Sequence, residues 1–220
     1  EARLTQDLSR LQEAQIRLRW GGESCDLLLR AIASSGCATA LRSIDLRRSK
    51  MNEPVVGQLA AVLGECKALT QLDLSCNFIG PEGAKRLAGA LKACEALSHL
   101  RLAVNGIGDE GASEIAGVIG SCPALSHVDL SDNWLTSDGA AALADALAGC
   151  KQLQSLQLAV NKIGPRGAAH AMTALAACPR LTNLDLRGNS IGNEGARRLA
   201  TALGDCPGLT HLNLSWTQIG

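Results

Sequence analysis

The chain has 220 residues, of which 46% are hydrophobic and 19% charged, so it can bury a core and is not a disordered polymer. Lysine and arginine together number 21, as do aspartate and glutamate, and this neutral balance argues against a nucleic-acid partner, which normally requires a basic surface. No apolar run approaches the roughly 18 residues of a membrane-spanning helix, so we expect no membrane insertion. The first residues also lack the apolar segment of a secretory leader.

The first predicted elements precede the regular part of the chain. Residues 2–14 place Leu4, Leu8 and Leu11 on one face of a predicted helix, and a strand holding Ile16 and Leu18 follows. From Leu41 onward the chain repeats every 28 residues without insertion or deletion.

Each repeat unit predicts a strand followed by a helix. Full units begin at Leu41, Leu69, Leu97, Leu125, Leu153 and Leu181, and a truncated unit runs from Leu209 to Gly220. In the second of these units, Leu72 and Leu74 alternate with polar residues, which indicates a half-buried strand. From Gly83 onward the apolar residues recur at spacings of three and four, as in an amphipathic helix. Short strands joined by crossover helices give a parallel sheet, and because helices are wider than strands, we expect the stack to curve with the strands on its concave side.

The unit L-x-x-L-x-L-x-x-N-x-I-G, followed by a helix that ends near a cysteine, resembles the leucine-rich repeat family. Within that family it is similar to the ribonuclease-inhibitor subtype, which also occurs in NOD-like receptors and Ran GTPase-activating proteins. The resemblance implies an α/β fold: a right-handed, horseshoe-shaped solenoid with a parallel concave sheet and convex helices. It also implies a ladder of asparagines whose amides bond to the backbone of the turn after each strand. These asparagines are Asn77, Asn105, Asn133, Asn161 and Asn189. Gly21, Ser49 and Thr217 replace the asparagine near the ends, where we expect a weaker ladder.

The repeat indicates one domain over residues 1–220, with about seven 28-residue units and partial ends. Open solenoids need polar capping units for solubility, and neither end shows one. We therefore expect the chain to be a piece of a longer protein.

The nine cysteines predict buried thiols. Six of them recur at the 28-residue period and form one column at the helix ends: Cys66, Cys94, Cys122, Cys150, Cys178 and Cys206. Neighbouring helices pack about 8–10 Å apart, beyond the roughly 7 Å between Cα atoms that a disulfide spans. A single column also cannot surround a metal ion. We therefore expect no metal or other cofactor, and a reducing compartment such as the cytoplasm, with the nucleus as an alternative. Cys76 is expected to be the most exposed cysteine.

Two patterns resemble catalytic sites without predicting one. The G-x-G-x-x-G from Gly106 to Gly111 follows a strand, but two of its three glycines recur in other units, so the repeat explains it. His99 and His127 occupy one strand position in adjacent units, about 5 Å apart and beside Asp129. This position faces open solvent and has no nucleophile nearby, so solvated polar side chains are expected. We predict no enzymatic activity and no small-molecule substrate.

The exposed strand positions are the predicted binding surface, because their mixed charges suit electrostatic complementarity with a protein. The residues predicted to contact a partner there are Arg47, Asp73, His99, Arg101, His127, Asp129, Gln157, Asp185 and Arg187. A solvated face without any partner is the alternative.

An apolar edge, here called the aromatic rim, borders these strands. It consists of Trp20, Phe78, Val104, Trp134, Val160 and Trp216. Exposed aromatic residues are the usual anchors of protein interfaces, so we predict that Phe78, Trp134 and Trp216 contact the partner. Burial of Phe78 and Trp134 beneath the loop is the alternative.

These features together predict a protein–protein interaction scaffold. One alternative is a GTPase-activating regulator similar to the Ran GTPase-activating proteins, with Arg48 or Arg187 completing a GTPase site; no acceleration of a panel of GTPases in a turnover assay would exclude it. The other is a structural subunit of a larger assembly that uses its convex helices, which crosslinking in the native complex would reveal.

Overall fold

Strands and helices alternate along the part of the chain that the structure, a computed structural model, describes: residues 14–17, 23–147, 150–175, 178–204, 206 and 208–220. The predicted helix over residues 2–14 lies outside these residues, except for Ala14, which begins the first strand. Trp20 and Gly21 also lie outside them.

Eight short strands form one parallel sheet in chain order. They are β1 (Ala14–Arg17), β2 (Leu41–Asp45), β3 (Gln71–Asp73), β4 (His99–Arg101), β5 (His127–Asp129), β6 (Ser155–Gln157), β7 (Asn183–Asp185) and β8 (His211–Asn213). From β2 onward every strand pairs with the next one in a constant register, so that Asp73 lies opposite Arg101, and Arg101 opposite Asp129. The predicted α/β solenoid is confirmed, and residues one period apart stand side by side.

The helices form a second layer on one side of the sheet. Those that the structure describes are α1 (Glu23–Ser35), α2 (Glu53–Leu63), α3 (Gly80–Leu91), α4 (Gly108–Ser121), α5 (Ser137–Leu147), α6 (Pro165–Leu175) and α7 (Gly192–Leu203), and a 3₁₀ turn covers Cys37–Ala40. Acidic residues such as Glu82 and Glu194 occupy the first turn, where the helix dipole is positive. Successive helices pack against one another. None of the described helices has the length and apolarity that crossing a membrane requires.

The core lies between the two layers and continues through the described units. In the unit that begins at Leu69, the strand contributes Leu72 and Leu74, and the helix contributes Leu87 and Leu91, all fully buried. Neighbouring units repeat these positions, so each unit buries its apolar surface against the units beside it. Stability in such a stack comes from contacts between neighbours.

The asparagine ladder joins adjacent units through the backbone, as expected. Asn161 donates from Nδ2 to the carbonyls of Leu130 and Leu158, at 3.1 and 3.0 Å. Its Oδ1 accepts from the backbone N–H groups of Asn133 and Leu135, at 2.9 and 3.0 Å. One buried side chain therefore satisfies backbone groups in the turns of two adjacent units.

Two positions depart from this pattern. The hydroxyl of Ser49, which replaces the ladder asparagine, is buried without a hydrogen-bond partner in the described residues, in line with the expected weaker ladder. Asn105 keeps the three Nδ2 bonds to Leu74, Leu102 and Ala103, yet its buried Oδ1 likewise lacks a described partner.

Asp109 provides a link between units that the sequence did not reveal. It sits in the first turn of α4, as expected for an acidic residue, but its Oδ1 accepts from the N–H groups of Thr136 and Gly139 at the start of α5, at 2.8 and 3.0 Å. Its Oδ2 also accepts from the Thr136 hydroxyl at 2.6 Å. Gly139 has no room for a side chain, because a Cβ there would overlap Asp109. Asp109 thus caps the helix of the following unit.

The contrast between Asn161 and Asn105 predicts unequal effects of the same substitution. Both asparagines are buried and make three Nδ2 bonds to carbonyls, but only Asn161 accepts from backbone N–H groups. Asn161→Ala leaves the two buried N–H groups of Asn133 and Leu135 unpaired. Asn105→Ala leaves no N–H group unpaired in this way, and it removes a buried oxygen that had no described partner. We expect Asn161→Ala to lower the free energy of unfolding by about 2 kcal/mol more than Asn105→Ala, measured by urea denaturation. Equal losses would contradict this view of the ladder.

Candidate functional site

The exposed face of the sheet, the strand face, carries side chains in straight rows because the register is constant. The first row runs Ser43, Gln71, His99, His127, Ser155, Asn183 and His211, and the second runs Asp45, Asp73, Arg101, Asp129, Gln157, Asp185 and Asn213. The structure therefore brings together the predicted contact residues from Asp73 to Asp185 on adjacent strands. Arg47 and Arg187 follow at the strand ends.

Charged side chains form a network at the end of the strand face nearest β2. Arg47 donates to both carboxylate oxygens of Asp45, at 2.9 and 2.8 Å, and its Nε lies 3.4 Å from Oδ2 of Asp73. The hydrogen bond to Asp45 and the charge of Asp73 raise the pKa of Arg47. Arg101 reaches the same oxygen of Asp73 only at 4.0 Å. The network lines an open cavity of about 410 Å³. Of the charged groups in the network, the Arg101 guanidinium makes the longest contact and is held least tightly.

The aspartates of the second row have a structural role that sequence reasoning missed. Oδ1 of Asp73 accepts from the N–H of Ser75 at 3.0 Å, and Oδ1 of Asp129 accepts from the N–H of Ser131 at 3.0 Å. Asp185 does the same for Arg187 at 2.9 Å. These bonds hold each carboxylate against the turn after its strand. The signal was available as an acidic or amide residue at this position in every unit from β2 onward except that of Arg101, but the same pattern suits a solvated charge.

His99 and His127 stack, with ring centroids 4.3 Å apart and ring planes 7° from parallel. The Ser98 hydroxyl donates to the carbonyl of Thr70 and lies 2.9 Å from Nδ1 of His99. When the Ser98 hydroxyl donates its one hydrogen to Thr70, Nδ1 of His99 is the donor in this contact and Nε2 is an acceptor in the neutral ring. Ser126 fixes His127 in the same way.

The environment of the pair favours its neutral form. Burial lowers the pKa of His99, and the neighbouring charges of His127 and Arg101 lower it further. Burial and Arg101 likewise lower the pKa of His127. The described residues contain no group of three or more His, Cys, Asp or Glu side chains that could hold a metal ion.

The aromatic rim is exposed wherever the structure describes it. Phe78 is 73% exposed, Trp134 62% and Trp216 86%, while Val104 and Val160 are 43% and 49% exposed. Phe78 and Trp134 are therefore not folded beneath the loop. One face of the Trp134 ring covers Gly106, since a Cβ at that glycine would lie 3.2 Å from the ring. This packing accounts for the glycine that the other units do not share.

Several rim residues have an unusual backbone conformation. Val104, Val160 and Trp216, at one position of the repeat, have φ values of 58°, 55° and 61°, in the left-handed region. The N–H of Val104 donates to Ser131 and that of Val160 to Arg187, at 2.9 and 2.7 Å, so the ladder between units imposes this conformation. Left-handed conformations are rare for β-branched residues.

The cysteine column and the G-x-G-x-x-G segment both take part in packing: Trp134 covers Gly106, and a Cβ at Gly111 would overlap Ile107. The nine cysteines, all among the described residues, are thiols rather than disulfides, and Cys76 and Cys206 are the partly exposed ones. In the column, the thiol of Cys150 donates at 2.9 Å to the carbonyl of Ile119 in the preceding helix. Burial raises the pKa of Cys150 to about 11 and that of Cys66 to about 12, which makes both thiols poor nucleophiles.

A comparison with known protein families identifies the repeat. The sequence model of a family described as "Leucine Rich repeat" matches residues 65–88, 93–116, 121–144, 177–200 and 205–220, about half of the chain. Among solved structures, the chain is similar to "Leiomodin-1 Actin-Binding Site 2 (ABS2)", with 21% sequence identity and a TM-score of 0.46. That likeness covers 48% of this chain and 62% of the other one. No curated protein matches the sequence.

The stacked histidines predict a loss of stability in acid. An unfolded histidine has a pKa of about 6.5, and both folded pKa values are lower, so the unfolded chain binds protons first as the pH falls. Their contribution to stability is complete above pH 6.5 or so and is lost as the pH falls through the folded pKa values. We expect the urea midpoint to fall between pH 7.5 and about 5, and to fall less in the double variant His99→Gln/His127→Gln. An identical decrease in the double variant would contradict the assignment.

Proposed function

We propose that this chain, which belongs to the leucine-rich repeat family, is a protein-interaction scaffold that binds a partner protein through the aromatic rim and the adjacent strand face. The observation that carries the proposal is the set of exposed apolar side chains along the rim, of which Val104, Trp134, Val160 and Trp216 stand at left-handed backbone positions. Arg48, Cys76 and Asp132 share that conformation at the valine position of other units, so the apolar exposure is what distinguishes the rim.

The valines of the rim are unfavourable for an isolated protein. A non-glycine residue held in a sparsely populated backbone region costs about 1–3 kcal/mol, and such residues cluster at functional sites. Gly188 occupies the equivalent position of the unit after Val160, so the turn accepts glycine. Val104 and Val160 also expose apolar surface, which adds nothing to folding. Contact with a partner gives these side chains a role that the fold itself does not.

The strand face supplies polar complementarity beside this apolar edge. Asp129 and Asp185, which are partly exposed, are held in place by their bonds to the turns, so they present carboxylates without a further loss of side-chain freedom on binding. Asp73, predicted as a contact residue, is instead only 7% exposed, because it is buried against Arg47 and the turn. Arg101 and Gln157 lie among them in the same row. In this proposal the polar residues of the strand face select and orient the partner, and the rim provides most of the binding affinity.

Finer features of the proposal come from the repeat itself. The constant 28-residue unit with its asparagine and cysteine columns supports membership of the ribonuclease-inhibitor-like subtype, as in NOD-like receptors. Nine thiols support a reducing compartment, the cytoplasm or the nucleus. We propose no catalytic activity, and neither nucleic acid nor a small molecule as a substrate or partner.

Removal of the rim aromatics tests the function. A partner captured by the wild-type protein from cell extract is identified by mass spectrometry, purified, and titrated calorimetrically against Phe78→Ala/Trp134→Ala. We expect the dissociation constant to rise by at least about 30-fold, since interface anchors typically contribute 2 kcal/mol or more. Circular dichroism should show an unchanged fold, because both side chains are mostly exposed.

Leu27→Ala is the matched control, since Leu27 is 50% exposed on α1, away from the rim. It should leave the affinity unchanged. A partner that binds the double rim variant as tightly as wild type, and also tolerates Arg101→Glu and Asp129→Lys on the strand face, would overturn the proposed surface.

Val104→Asn separates stability from binding. Asparagine tolerates the left-handed conformation better than valine, so we expect a gain in the free energy of unfolding of about 0.5–1 kcal/mol, measured with urea. The same change removes apolar surface from the rim, so partner affinity should fall. Leu27→Asn, at a helical position, should give no such gain. A destabilised Val104→Asn would contradict the strain argument.

A further inference from the structure

We infer that the rim receives an amphipathic α-helix of the partner, lying across the strands with its apolar residues in heptad spacing. This inference rests on the proposed function and names the kind of segment that the rim binds.

The apolar side chains of the rim alternate between two rows. Val104 and Val160 belong to the row three residues after the end of the strand, whereas Phe78 and Trp134 belong to the row two residues further along the unit. Taken in the order of the units, the four residues Phe78, Val104, Trp134 and Val160 occupy four consecutive units and change rows at each step. They form a zigzag whose step is one unit, roughly 5 Å, the spacing of neighbouring strands.

An amphipathic helix has the same geometry. Its seam residues alternate between two rows, at spacings of three and four residues, and a rise of 1.5 Å per residue gives a mean axial step of about 5.2 Å. The two-unit distance from Phe78 to Trp134, roughly 10 Å, therefore corresponds to one heptad of about 10.5 Å. Over the three steps of the zigzag the two spacings differ by less than about 2 Å, within the reach of side-chain adjustment.

Other peptide conformations fit this zigzag less well. An extended strand returns a side chain to the same face every two residues, about 6.7 Å, which matches neither the one-unit nor the two-unit distance. A polyproline helix repeats every three residues, about 9.3 Å, close to the two-unit distance, but it has no residue halfway along that repeat to meet the second row. The zigzag thus favours the α-helix.

The packing of Trp134 gives the surface its shape. The Trp134 ring lies over Gly106, the residue between Phe78 and Trp134 in their row, so one face of the indole is supported and the other is open. Gly188 lies against Val160 in a similar way. Because Gly106 and Gly188 have no side chains, depressions lie beside the exposed side chains of the rim. The apolar side chains of a helix pack into such depressions.

Charges at one end of the rim orient the helix. Arg48 and Lys50 occupy the same two rows in the unit before Phe78, and both are exposed. The C-terminal end of a helix carries a partial negative charge. Among the described residues of these two rows, the opposite end, at Val160, carries a single exposed cation, Lys162. The pair Arg48 and Lys50 therefore favours its own end for the C-terminus of the bound helix. Acidic residues in its last turn strengthen the contact.

Selection from an unbiased display library of peptides about 20 residues long, long enough for nearly three heptads, tests this inference. With immobilised wild-type protein, the enriched peptides should carry apolar residues at i, i+3 or i+4, i+7 and i+11, with acidic residues near their C-termini. A synthetic copy should bind with a rise in helicity by circular dichroism. A central proline in that peptide should weaken binding by at least about tenfold, because it breaks the helix.

Variants of the chain decide where such a peptide sits. Val104→Asp and Trp134→Ala should each weaken its binding at least about tenfold, while Leu27→Ala should not. The double variant Arg48→Glu/Lys50→Glu should weaken the binding of peptides with acidic C-termini most. Enrichment of proline-rich or strictly alternating peptides, or binding that Val104→Asp and Trp134→Ala leave unchanged, would overturn the helix inference, as would the absence of enriched peptides. The proposed function is judged separately, by the loss of captured partner in the Phe78→Ala/Trp134→Ala variant.

Discussion

The hydrogen bonds of the ladder asparagines determine most other features of the molecule. Each amide joins the turn of its own unit to the backbone of the unit before it, as Asn161 does with Asn133 and Leu135. Because the side chain is buried, its bonds exist only when the two turns keep one relative position. That requirement supports the constant register of the strands and the straight rows of the strand face, and the backbone bonds between turns hold Val104 and Val160 in the left-handed conformation.

The two candidate binding surfaces differ in how they are made rigid. On the strand face, aspartates are bonded to the turns and the histidines to serine hydroxyls, so polar side chains are held before any partner arrives. Along the rim, the side chains are exposed but the backbone beneath them is fixed by bonds between units, as at Val104 and Val160. Both arrangements reduce the entropy that association must overcome.

Much of the fold could be predicted from the sequence, because a period that recurs without insertion determines each strand, helix and ladder residue at once. The cysteine column is an example, since its burial follows from the spacing, whereas the bonding role of the Asn77 to Asn189 column came from the resemblance to leucine-rich repeats. Features that depend on one unit touching another were not predictable in this way. Asp109 looked like an ordinary residue of a helix first turn, and its role became visible only when Thr136 and Gly139 were placed beside it. The stacking and proton positions of His99 and His127 likewise depend on hydroxyl bonds that no spacing reveals.

The caps between units run in opposite directions at the two ends of the helices. At helix starts the earlier unit supplies the acceptor for an N–H group of the later unit. Asp109 accepts from Gly139, and the Ser137 hydroxyl accepts from Gly167 at 3.3 Å. At helix ends the later unit supplies the donor for a carbonyl of the earlier unit, as the thiol of Cys150 donates a hydrogen bond to the carbonyl of Ile119. A unit whose predecessor melts therefore loses protection at the start of its helix, and a unit whose successor melts loses it at the end. Amide hydrogen exchange along a single helix would thus record which neighbour opened first, and with it the direction in which unfolding spreads through the stack.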